Sequence, residues 1–127
     1  MKTLKLPIRT LETLRGKWRV VYRDRILGTV GEYDGCVLPT RRRIVISEAL
    51  AKRGIEGLSG HIETLIHEVL HILVAETDLM RRLQEKKNEE EREEEMVSAL
   101  AEAIALVLER NLGKVARIVS IMMKKED

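Results

Sequence analysis

His67-Glu68-Val69-Leu70-His71 places two imidazoles four residues apart with a carboxylate between them. At 3.6 residues per turn, positions i and i+4 of a helix lie on one face, one above the other, so both rings can reach a common metal ion. The donor set fits zinc, one ion per chain, and the pattern predicts a zinc-dependent hydrolase. Glu68 projects beside the imidazole face. A carboxylate there can take a proton from a zinc-bound water, whose pKa the metal lowers to about 7, and hand it to a leaving amine.

Two imidazoles do not complete a catalytic zinc site, which takes three protein ligands and keeps a fourth position open for water. An extended pattern with Gly three and His six residues after the second ligand is closed, because those positions hold Val74 and Thr77. The other common arrangement draws a glutamate from a second helix. A second helical pattern begins in the run Glu89-Glu90-Glu91-Arg92-Glu93-Glu94-Glu95, with an apolar face of Val97, Leu100, Ala101, Ile104 and Leu108. Glu94 lies one turn before Val97 and is phased toward the first helix; Glu93 and Glu95 flank it and stay open as alternatives. The rest of the run reads as a solvated helix start, negative side chains sitting near the positive end of the dipole.

The stretch Thr64-Leu-Ile-His-Glu-Val-Leu-His-Ile-Leu73, then Glu94-Glu-Met-Val-Ser-Ala-Leu-Ala101, then Leu108-Glu-Arg-Asn111 resembles small phage- and prophage-encoded zincin-like metallopeptidases. These are similar to stripped-down members of the gluzincin group. The upstream segments Trp18–Tyr22, Gly31–Asp34 and Arg43–Ile46 resemble that family's small sheet, so the likeness covers roughly residues 17 to 111. It implies His67, His71 and Glu94 as zinc ligands and Glu68 as general base. It implies a peptide or protein substrate and names none.

The elements that must position these residues are legible in part. Ile62, Leu65, Ile66, Val69, Leu70 and Leu73 form an apolar stripe at helical spacing, predicting a long amphipathic helix from about residue 59 to 83 with the histidines at the stripe's margin. Residues 17–24 alternate as a strand with Trp18, Val20 and Tyr22 on one face, Asp34-Gly35 is a hairpin signal, and residues 43–47 read as another strand. Either residues 43–46 or 32–37 would offer a free edge to an extended peptide. The first 16 residues read as a short strand or helix, residues 26–31 as turn-rich, and residues 48–53 as a short helix. Gly113 is expected to end the second long helix after Asn111, and residues 114–125 to form a last amphipathic helix through Val115, Ile118, Val119 and Met122. The fold expected is α+β: a single domain over 1–127, a small antiparallel sheet packed on the histidine helix and a ligand-donating helix.

With 127 residues, no Phe, one Trp and two Tyr, the core must come from aliphatic side chains. A net charge of +2 on a chain 35% charged gives no general polyanion-binding field, and nucleic acid is not the expected partner. Arg41–Arg43 and Lys124-Lys125 read as solvated ends. One cysteine, Cys36, excludes an internal disulfide and reads as a small buried hydrophobe. No run has the length of a membrane span or a signal peptide, so a soluble cytoplasmic protein is expected. A surface rich in Glu, Lys and Arg with one Gln and two Asn leans toward a thermophilic source. His61, six residues before His67, points away from the ligand face and reads as solvent-facing or capping. Tyr22, Tyr33 and His61 are the side chains able to donate to an oxyanion. The competing functions are a non-catalytic zinc-binding interaction or regulatory protein, and an SprT-like protease associated with nucleic acid.

Overall fold

The computed structural model describes residues 6, 8–28, 31–48 and 55–126. Among these described residues six strands precede four α-helices: β1 (Thr10–Thr13), β2 (Gly16–Arg23), β3 (Ile26–Gly28), β4 (Gly31–Tyr33), β5 (Gly35–Leu38), β6 (Arg43–Ser47), α1 (Ile55–Glu76), α2 (Leu79–Gln84), α3 (Glu89–Arg110) and α4 (Leu112–Glu126). The α+β expectation holds. The helix expected at 48–53 lies outside the described residues beyond Glu48, as do positions 1–5 and 7 of the first segment.

The main sheet has the order β1-β2-β6-β5, and β3 and β4 form a separate two-stranded ribbon. The sheet is mixed where an antiparallel one was expected. β1–β2 and β5–β6 are antiparallel, but β2 and β6 run parallel, Val20 opposite Ile44 and Tyr22 opposite Ile46. A parallel pair needs a crossover connection, and the ribbon plus β5 supply it. Interior β6 is the most buried strand, with Ile44 and Ile46 fully inaccessible; β5 is left as an edge.

α1 packs Leu58, Leu65 and Ile72 into a core with Trp18, Val20, Ile44 and Ile46. Its far end is pinned by Glu76, whose carboxylate accepts from the Thr13 hydroxyl (2.7 Å) and from the Leu14 and Arg15 amides in the β1–β2 turn. The expected long helix stops there. Thr77 Oγ1 bonds back to the Leu73 carbonyl (2.7 Å), and Asp78 adopts a left-handed conformation (φ 55°), which Asp tolerates better than most residues, so the chain restarts as α2. Arg42, also left-handed, is not a solvated end: its guanidinium lies 4.7 Å from the Trp18 ring centroid and donates to the Lys17 carbonyl.

α3 opens on a reciprocal cap. Asn88 Oδ1 accepts from the Glu91 amide (2.9 Å), and the Glu91 carboxylate accepts from the Lys87 amide (3.1 Å). Its buried face is not the expected one. Ala99, Ala103 and Val107 turn inward, while Val97, Ala101, Ile104 and Leu108 stay exposed. Small side chains let α3 approach α1 closely, where Ala103 and Val107 cluster with Leu73 and Val69. The break before α4 comes at Asn111 and not at Gly113, which is helical. The Asn111 side chain accepts from the Glu12 amide (3.0 Å) and donates to the Glu12 and Val107 carbonyls, so it caps α3 and pairs with the free edge of β1 at once.

Candidate metal centre

One face of α1 lies on the sheet: His61, Leu65, Glu68 and Ile72 are all buried. His67 and His71 stand one residue earlier than Glu68 and Ile72, about 100° around the helix, and are exposed. The expected position at the margin of the stripe is thus the one observed. Their rings meet edge to face at 4.8 Å, with Nε2 of His71 3.2 Å from Nε2 of His67. Two nitrogens each bound at 2.0–2.1 Å to one tetrahedral zinc would lie about 3.3 Å apart. The imidazole pair therefore already holds the spacing of two ligands of one ion.

Glu68 is only 6% exposed, because it sits beneath edge strand β5. Gly35 makes this possible. A β-carbon there would fall 2.5 Å from Thr64 Cγ2 and 3.3 Å from Glu68 Cγ. Burial raises the Glu68 pKa above its ordinary value, and the neighbouring His67 and His71 oppose the shift. A carboxyl held up in this way is a better proton acceptor than a solvated one.

His67, Glu68 and His71 open into a cleft of about 370 Å³ whose other walls are Tyr33, Gly35, Cys36 and Val37. Tyr33 is carried by the β3–β4 ribbon, with its ring seated on Gly28, where a β-carbon would lie 1.7 Å from Cε2. Of the three side chains able to donate to an oxyanion, Tyr33 is the one in the cleft. The Tyr22 hydroxyl donates to the Leu6 carbonyl, and burial pushes its pKa up to about 12. His61 is fully buried and not solvent-facing: its Nε2 lies 3.1 Å from the Ser47 carbonyl, which can only accept, so this nitrogen carries the proton. Its Nδ1 has no hydrogen-bond partner among the described residues, and burial lowers its pKa.

Cys36 is half-buried in the cleft wall, and burial together with the Glu68 charge raises its thiol pKa. The Glu94 carboxylate accepts from the Ser98 hydroxyl (3.3 Å) on the exposed side of α3. Glu95 is the more buried neighbour and pairs with Arg82 and Lys86. α3 meets α1 at Val69 and Leu73, each two residues and so about 200° from a histidine. The structure thus brings His67, Glu68 and His71 together and leaves Glu93, Glu94 and Glu95 apart from them. Among the described residues, no three His, Cys, Asp or Glu side chains gather closely enough to hold a metal ion, and no helix is long and apolar enough to cross a membrane. No protein-family model matches the chain, and neither the curated proteins nor the solved structures contain a match to it.

Proposed function

We propose that the chain is a zinc-dependent peptide hydrolase of zincin-like type, with His67 and His71 as ligands and Glu68 as general base. The observation that carries this reading is the 3.2 Å separation of the two Nε2 atoms beside a buried, proton-accepting carboxylate. Zinc, when bound, supplies Lewis acidity toward water and a substrate carbonyl. Glu68 accepts the proton of the attacking water and returns it to the departing amine. Tyr33, in the cleft wall, would donate a hydrogen bond to the developing oxyanion. The free edge of β5 pairs with an extended peptide, which lays a scissile bond across the cleft. The resemblance adds Glu94 as third ligand. The packing of α3 on the far side of α1 does not supply that ligand, so within the described residues His67 and His71 are the side chains that would hold the ion.

Elemental analysis of purified protein tests the ligand assignment: one zinc per chain is expected, and none in His67→Ala/His71→Ala. Unchanged zinc in the double variant would sink it. Glu68→Gln should keep the metal and lose hydrolysis of a labelled unfolded protein such as casein; Tyr33→Phe should keep the metal and lower kcat more than it changes KM. Zinc bound by the parent and lost from the double variant, with no hydrolysis by the parent, would favour the non-catalytic zinc protein.

A further inference from the structure

α3 and α4 present an apolar stripe that no described element covers. Val97, Ile104, Leu108, Leu112, Val119 and Met123 are each between 39% and 64% exposed. From Val97 through Ala101 to Ile104 and Leu108 the steps are four, three and four residues, the repeat of a helix-packing seam. Scattered exposed aliphatics need no explanation, but a contiguous stripe marks a contact surface. This one borders an apolar trough of about 330 Å³ between α1, α3 and α4, with Ile66, Leu70, Val115 and Ile118 in its walls.

The charges at the two ends say what covers it. The stripe starts beside the acidic first turns of α3, where Glu89, Glu90, Glu93 and Glu94 outnumber the single Arg92, Glu91 being engaged in the helix cap and Glu95 with Arg82 and Lys86. It ends on α4, which carries Arg117 and Lys124. A two-fold contact must be complementary to itself. Laid antiparallel on a second copy, the stripe matches apolar to apolar and sets each acidic end against a basic end, twice. Laid parallel, it would stack acid on acid.

We propose that this stripe is a homodimer interface, in which α3 and α4 of one copy run antiparallel to those of a second about a two-fold axis. The trough and the His67–His71 cleft share no lining residue, so the dimer leaves the cleft open.

Sedimentation of the full chain from low micromolar to a few hundred micromolar is expected to show a monomer–dimer equilibrium. Ile104→Glu with Leu108→Glu should leave a monomer with its helical circular dichroism intact, since both side chains are part-exposed at the mouth of the open trough in the single chain. Arg117→Glu with Lys124→Glu should weaken association about tenfold, and adding Glu90→Lys and Glu93→Lys to the same chain should restore it. A parent that stays monomeric overturns the proposal, as does a dimer indifferent to Ile104 and Leu108. Failure of the second charge reversal to rescue the first overturns the antiparallel arrangement. Should the double glutamate variant misfold, the fully exposed charge-reversal pair carries the test alone.

Discussion

Gly35 of β5 and Glu68 of α1 lie against each other: a β-carbon on Gly35 would come within 3.3 Å of Glu68 Cγ and within 2.5 Å of Thr64 Cγ2. The missing side chain lets the edge strand settle on the helix and cover the carboxylate. Gly35→Ala should therefore push β5 away from α1. We expect a stability loss of about 1–3 kcal/mol, as for other overpacked contacts, measured by urea denaturation. Hydrolysis should fall further than zinc content does, because the substitution disturbs the base and leaves the exposed imidazoles in place. A variant as stable and active as the parent would show that the strand has room to move.

The buried His61 gives the fold a pH dependence of its own. Burial lowers its pKa below the ordinary 6.5, so the folded protein takes up this proton less readily than the unfolded chain. Stability tied to the neutral ring is complete above about pH 6.5 and is lost as pH falls from there through the lowered folded-state value. Thermal midpoints of the metal-free protein should drop between pH 7 and pH 5. His61→Gln, which can still donate to the Ser47 carbonyl, should show a flatter profile over that window. Parallel profiles for parent and variant would refute this role.

The placing of the two histidines and Glu68 was more legible in the sequence than the packing. His67, Glu68 and His71 share one helical turn, and local spacing alone fixes which way they point. The burial of Glu68 was not legible, because it depends on Gly35, thirty-three positions earlier and across a sheet edge. The α1–α2 break was hidden for a different reason. Thr77 and Asp78 carry no Gly or Pro signal, and the interruption rests on a side-chain bond to Leu73 and a left-handed Asp. On α3 the richest apolar stripe was read as the core face, yet close helix approach selected the alanines.

That choice of face makes a stability prediction. Ala103 packs among Leu73 and Val107, whereas Ala101 is exposed. Ala103→Leu should cost about 1–3 kcal/mol by overpacking the α1–α3 contact. Ala101→Leu should stay within about 0.5 kcal/mol when measured in dilute solution. Denaturation midpoints that reverse this order would restore the stripe of Val97, Ile104 and Leu108 to the core.

The third ligand of the proposed zinc site is where the resemblance and the packing pull apart. Glu94 is engaged by Ser98, and α3 contacts α1 at Val69 and Leu73, about 200° around the helix from the imidazoles. Zinc held by two imidazoles alone would be weak, and if Glu94 is the third ligand, as the resemblance implies, α3 would have to shift to deliver it. Competition against a chelator should then show Glu94→Ala weakening zinc binding by about tenfold or more, while Glu91→Ala, whose carboxylate accepts from the Lys87 amide at the helix start, changes it little. Zinc loading should also alter amide exchange along α3, since hydrogen bonds and contacts there must be remade. If Glu93→Ala or Glu95→Ala is the damaging change, the ligand sits one position away, and in the Glu95 case the Arg82–Glu95 pair becomes the contact to be broken. Normal affinity in all three variants, with exchange along α3 untouched by metal, would mean that α3 stays where it is and that the gluzincin-like ligand set does not apply to this chain.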